Sequence, residues 1–197
     1  MKLVFASNNN HKLAEVRQIL PEDVEVISLR EVGFEQEIDE TGETLEENSA
    51  LKAQVVWDWL CAEHLTEGVD GVFADDTGLE IVALGGAPGV RTARWASDEA
   101  CDINNRQKAL SELEGKEDRS ARFRTVVSLI VHGDMQQVEG VVNGSIALGE
   151  EGDGGFGYDP VFIPEGYTKT FASLPADVKN SISHRFRAME ALRQILK

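Results

Sequence analysis

The chain has 197 residues, 42% of them hydrophobic and 27% charged, and a formal net charge of −16 at pH 7. That size and balance fit one soluble globular domain, with or without a small appended lobe. They speak against a membrane span, because no apolar run nears the roughly 18–20 residues one needs. They also speak against a nucleic-acid partner, whose backbone so acidic a chain would repel.

The opening, "MKLVFASNNNHK", lacks the long apolar core and small-residue cleavage site of a secretory signal. Cys61 and Cys101 have no metal-ligand spacing. A cytoplasmic protein with packing or bystander thiols is therefore expected. "KLVFA" (2–6) reads as a short buried strand, and the polar "SNNN" (7–10) breaks it with residues suited to turns and N-caps. Leu13, Val16, Ile19 and Leu20 then recur at helical spacing up to Pro21, and "VEVISL" (24–29) is a second strand. A β-loop-α-β opening predicts an α/β protein with a parallel pairing near the N-terminus.

Residues 33–43 are polar and acidic, as an exposed loop would be. A long helix is predicted over 44–65, with an apolar stripe at Leu45, Leu51, Val55, Trp59 and Leu60. "GVFADDTGL" (71–79) reads as a strand that ends at two adjacent carboxylates. "LEIVAL" (79–84) reads as a further strand, "GGAPG" (85–89) as a turn, and 99–114 as a helix. Strands over 121–132 and 136–148 flank "GD" at 133–134, a hairpin signal. "GEEGDGGFGYDP" (149–160) is irregular, "VFIP" is short, and 183–196 closes the chain as a helix. The expected fold class is thus α/β, a mixed twisted sheet flanked by helices.

Five segments could carry chemistry. In "SNNNHK", backbone N–H groups at a helix start and the positive Lys12 favour anions; an Asn cap beside an exposed Lys explains the same residues without function. In "TLEEN", Thr44 and Glu47 have capping-box spacing, and Glu47 could equally be a carboxylate ligand, with Lys52 farther along the helix. In "ADDTG", Asp75 and Asp76 suit a hard divalent cation, or one of them could accept a proton from water; the rival is a solvated Asp-Thr-Gly turn. In "GGFGYDP", the glycines admit a close ligand and Phe156 could stack on a flat ring, or the aromatics simply face inward. "KNSISHR" offers Lys179, His184 and Arg185 as donors to oxygen, or is only a basic helix start. Nothing matches a Ser-His-Asp elbow, a cysteine nucleophile or a zinc site.

Taken in order, "ASNNNHK", "TLEENSALKA", "ADDTGLEIVALGGAPGVRTARW", "GGFGYDPVF" and "KNSISHR" span residues 6–185. With these motifs the chain resembles the Ham1/RdgB-type nucleoside triphosphate pyrophosphatases, the inosine triphosphate pyrophosphatase family. The resemblance implies a single elongated domain over 1–197 with two lobes around a central cleft, usually as a homodimer. It implies Mg²⁺-dependent hydrolysis of non-canonical purine nucleoside triphosphates (ITP, dITP, XTP) to the monophosphate and pyrophosphate. By position it implies triphosphate contacts from the segment Ser7, Asn8, Asn9, Asn10, His11 and Lys12, with Ser7, Asn9 and Lys12 foremost, and from Lys52. Glu47 and Asp76 would hold the metal, Asp75 would assist, and Asp76 would also accept the proton. Thr77 would touch substrate. Phe156, Gly157, Tyr158 and Asp159 would form the base pocket with Lys179, His184 and Arg185. Family members often have Gly where this chain has Asn8 and His11, which leaves the loop's backbone conformation open.

An aspartate-nucleophile phosphatase is disfavoured, since that class spaces its two Asp residues two apart and here they are adjacent. A non-catalytic nucleotide-binding module would have no need of paired carboxylates.

Overall fold

The computed structural model describes residues 1–196. In chain order the strands are β1 (Lys2–Phe5), β2 (Glu25–Ser28), β3 (Gly71–Ile81), β4 (Pro88–Gly89), β5 (Ser120–Val131), β6 (Asp134–Ile146) and β7 (Phe162–Pro164). The helices are α1 (Asn10–Ile19), α2 (Leu29–Val32), α3 (Leu45–Ala62), α4 (Asp102–Glu112), α5 (Ala176–Ile182) and α6 (His184–Ile195). The strands form one mixed sheet of order β2-β1-β3-β5-β6-β7, with β4 paired to β3. β1 runs parallel to both β2 and β3, the parallel opening expected from the β-loop-α-β pattern. The fold is therefore α/β with a mixed sheet and flanking helices.

The chain divides into two compact units. The first comprises Met1–Asp76, Thr125–Gly140 and the C-terminal segment from Arg185; the second comprises Thr77–Arg124 and Val141–His184. In the first unit, strand alternation sorts the core into two layers. Leu3, Phe5, Phe73, Val127 and Leu129 pack against Val16 of α1 and Ala188, Met189 and Leu192 of α6. Val4, Ala6, Val72, Ala74 and Ile130 pack against Ala53, Val56 and Leu60 of α3. In the second unit Leu79, Ile81, Phe123, Val142, Ile146, Phe162 and Phe171 form a core with Ala109 and Leu113 of α4 and its C-terminal end.

Two sequence expectations change. β3 is one continuous strand of eleven residues, not a strand that stops at Asp75 followed by another over 79–84. Turn chemistry at Asp-Thr-Gly yields because both aspartates find buried cations and the strand need not surface to solvate them. The hairpin between β5 and β6 turns at His132–Gly133, one residue before the expected pair, with φ of 52° and 90°. Two successive positive φ values match the right-handed twist of the flanking strands.

Candidate active site

Asp75 and Asp76 are neighbours on an extended strand, so they point to opposite faces of the sheet. Asp75 shares the face of Phe73, covered by α1 and α6. It is wholly buried, and its two oxygens accept from Lys12 Nζ at 2.8 Å and Arg185 Nε at 3.0 Å. Arg185 Nη1 in turn donates to Glu15 on α1. Burial by itself would raise the Asp75 pKa; Lys12 and Arg185 outweigh it and hold the carboxyl far below the usual carboxylate range. Burial pulls the Lys12 ammonium below its ordinary value, with Asp75 opposing and Lys52 and Arg185 adding to the drop. α1 presents Lys12 because Asn9 caps the helix, accepting from the N–H groups of His11 and Lys12 at 2.9 and 3.1 Å.

Asp76 shares the face of Val72 and Ala74, under α3. Its Oδ1 accepts from Lys52 Nζ at 3.2 Å, and Lys52 also donates to Glu40 at 2.5 Å. Its Oδ2 is buried and accepts no hydrogen bond among the described residues. Burial, opposed by Lys52 and Lys12, raises the Asp76 pKa above the ordinary aspartate value. Burial opposes the Lys52 charge, yet Asp76 and Glu40 leave its pKa net raised. One Asp is thus saturated by cations and fixed as an anion, while its neighbour keeps a desolvated oxygen.

Glu47 is exposed and closes the capping box of α3. Its Oε2 accepts from the N–H groups of Glu43 and Thr44, and its own N–H donates to Thr44 Oγ1. Ser7 is half-buried, while Asn8, Asn9, Asn10 and His11 are exposed at the start of α1. Thr77 follows Asp76 on β3, half-buried, as the first residue of the second unit.

In the second unit the glycine-rich segment and α5 meet at a buried ion pair. Asp159 Oδ2 accepts from Lys179 Nζ at 2.6 Å and from the Phe156 N–H at 2.8 Å. Lys179 Nζ also lies 4.9 Å from the Phe156 ring centroid, within cation–π range. Gly155, at φ +71°, passes so close that a Cβ there would lie 2.0 Å from Asp159 Oδ2. Tyr158 is buried, donates to the Thr92 carbonyl at 3.0 Å, and has its pKa pushed well up by burial. His184 is buried and stacks on Phe123 at 4.5 Å with 18° between the rings.

The structure therefore gathers Lys12, Asp75 and Arg185, and Lys52 with Asp76, in the first unit, and Phe156, Asp159 and Lys179 in the second. It also brings in Glu15 and Glu40, which the sequence reading had passed over. Glu15 lies three residues after Lys12, a spacing that shares a helix face and could have exposed it. Glu40 is one acid among many in a polar loop and carried no such signal.

The Ham1 family model matches residues 3–195. A protein named dITP/XTP pyrophosphatase from Flavobacterium johnsoniae is 43% identical over 196 residues, covering 100% of this chain and 98% of its own length. One of the same name from Bacillus subtilis is 44% identical over 198 residues, covering 98% and 96%. The solved structure of the Staphylococcus aureus Ham1 protein superposes with a TM-score of 0.85 at 38% identity, covering 100% of this chain and 98% of that one. The chain belongs to the Ham1 family.

Proposed function

We propose that this protein hydrolyses non-canonical purine nucleoside triphosphates, the dITP and XTP named for its relatives and ITP with them, to the monophosphate and pyrophosphate. The observation that carries the reading is the buried Asp76 Oδ2, which accepts no hydrogen bond among the described residues and belongs to a unit holding Lys52 and Arg185 as buried cations and Lys12 as a half-buried one. A desolvated carboxylate oxygen of raised pKa is suited to take a proton from water. In that step the water oxygen bonds to the α-phosphorus, the bond from that phosphorus to the bridging oxygen breaks, and pyrophosphate leaves with the bond's electron pair. Lys12 and Lys52 neutralise phosphate charge. Phe156 and Lys179 serve the base.

A hard divalent cation, Mg²⁺ by its preference for oxygen donors, fits the Asp76 and Glu40 carboxylates, whose Oδ1 and Oε1 share the Lys52 ammonium. Among the described residues no three or more His, Cys, Asp or Glu side chains are placed to hold a metal ion together, so water would complete the shell of such an ion. When bound, it supplies charge neutralisation on the phosphates. Glu47 remains a candidate ligand through its carboxylate, and Asp75 acts by holding Lys12 and Arg185. Nucleoside specificity follows from donors facing the 6-keto oxygen, which meet adenine's amino group donor to donor; His184 and Arg185 are the candidates. A homodimer in the cytoplasm belongs to the same reading.

The test is a panel of ITP, dITP, XTP, ATP and GTP assayed for pyrophosphate and orthophosphate, with and without Mg²⁺. Pyrophosphate from the first three, with ATP and GTP poor, is the expected result. Orthophosphate as the main product, or a phosphoenzyme on Asp75, would overturn it. Sedimentation of the free protein checks the dimer.

A further inference from the structure

The main chain of Gly157 is gripped on both its N–H and its carbonyl by one helix. Its N–H donates to Asp102 Oδ2 at 2.8 Å, and its carbonyl accepts from Arg106 Nη1 at 2.9 Å. Asp102 and Arg106 are i and i+4 on α4, so they share a face and form a two-pronged clamp. Arg106 is mostly buried and is steadied by an ion pair from its Nε to Glu150 Oε2 at 3.0 Å. The clamped residue has φ +60°, a left-handed conformation that leaves glycine free to choose others when it is not held. On either side, the Phe156 N–H donates to Asp159 and the Tyr158 hydroxyl to the Thr92 carbonyl. Two charged side chains are thus committed to the main chain of a single glycine, and the residue immediately before it is Phe156. That is more restraint than a surface turn needs for folding, and it restrains the segment to which the proposed function assigns the base.

We infer that Asp102 and Arg106 are positioning residues that fix the Phe156 ring for nucleobase binding, and that α4 tunes base affinity without touching substrate. This rests on the proposed function for its ligand, but the clamp itself can be read without turnover. Ordering the loop beforehand spares that cost at binding. A contact made equally to ground and transition states changes KM and leaves kcat alone.

The experiment combines exchange and kinetics on the full-length protein. Asp102→Ala and Arg106→Met are compared with Asp102→Asn, which keeps an acceptor for the Gly157 N–H. Hydrogen–deuterium exchange of the 154–159 segment should accelerate about tenfold in the Ala and Met variants, the loss of one charge-assisted hydrogen bond, and return towards wild type in the Asn variant. The KM for ITP should rise about tenfold with kcat within about twofold, while inhibition by inorganic tripolyphosphate, which has no base, stays unchanged. Unchanged exchange in the Ala and Met variants overturns the clamp whether or not the protein turns over ITP. Accelerated exchange with unchanged KM, or with tripolyphosphate inhibition weakened in parallel, overturns the role in base binding. A wild-type protein inert towards every purine nucleotide overturns the proposed function instead, and the exchange result still decides the clamp.

Discussion

Asp75→Asn and Asp76→Asn change adjacent residues by the same atom swap, and the structure predicts opposite consequences for stability. Asp75 is wholly buried between two cations, at 2.8 Å from Lys12 and 3.0 Å from Arg185. Neutralising it leaves two largely desolvated cations short of an anion, while Glu15 stays paired with Arg185. Removing one partner of a buried pair costs about 3–5 kcal/mol. For a chain of this length 1 kcal/mol is worth about 2–4 °C in Tm, so Asp75→Asn should lower Tm by about 6–20 °C. Asp76 carries a raised pKa and an oxygen without a hydrogen-bond partner among the described residues, and Lys52 keeps Glu40 when the charge at 76 is lost. Asp76→Asn should therefore shift stability by less than about 1 kcal/mol, within the range of an ordinary weak substitution, and can stabilise. Thermal and urea unfolding at pH 7 measure both, and two-state behaviour is checked by coincident probes. The pH dependence separates them further. A depressed folded-state pKa at Asp75 contributes stability that is fully present above the ordinary aspartate value near 4 and is lost as pH falls through the folded value. A raised folded-state pKa at Asp76 does the reverse, and its cost to stability appears as pH rises from about 4 through the folded value. Asp76→Asn should flatten that neutral-side loss, and Asp75→Asn should flatten the acid-side loss. Equal Tm losses in the two variants would refute the division between a saturated and an unsaturated carboxylate.

Two further outcomes follow from local geometry. Gly155→Ala puts a Cβ against Asp159 Oδ2 in a left-handed backbone and should displace the Asp159–Lys179 pair, lowering affinity for ITP more than for tripolyphosphate; equal binding of both by calorimetry, matching wild type, would contradict the contact. Glu31 accepts from the Ser28 hydroxyl and Ser28 N–H, which bring its pKa down to about 2; carbon-detected NMR titration should find it there, and a midpoint at the ordinary glutamate value would show that the α2 capping box is open in solution.

Much of the scaffold was legible because it depends on local periodicity. Val16 and Ile19 marked α1, and Leu45 and Leu60 marked α3, each a helix packed on the sheet, but the α3 stripe was partly misplaced: Ala53 and Val56 join Leu60 in the core, Val55 and Trp59 are only partly buried, and Leu51 lies outside it. Thr44 and Glu47 announced the capping box seen at the start of α3. What escaped was non-local. Asp-Asp-Thr-Gly has turn chemistry by composition, and only Lys12, Lys52 and Arg185, distant in sequence, make a continuous strand affordable there. α5, only seven residues long and directly after Pro175 with no side-chain cap hydrogen bond, offers too short a period to be seen. Asp102 and Arg106 read as ordinary polar positions of a helix, since their partner is the main chain of a glycine 51 to 55 residues on.

The strand period explains why the two carboxylates had to be adjacent. Residues one apart on β3 address different helical layers, so a single dipeptide couples α1 and α6 on one face to α3 on the other. Spaced two apart, both would face the same layer and compete for the same cations, each raising the other's pKa. Adjacency lets Asp75 be spent wholly on holding Lys12 and Arg185, while Asp76 stays only half-satisfied by Lys52. The electrostatics still connect them, because Lys12 opposes the rise at Asp76 and Lys52 adds to the fall at Asp75. An arrangement built only for stability would have satisfied both acids or replaced the second with an apolar residue, since an unpaired buried oxygen is costly. Its retention on an otherwise saturated strand is the physical reason to look for a ligand at Asp76 rather than at Asp75.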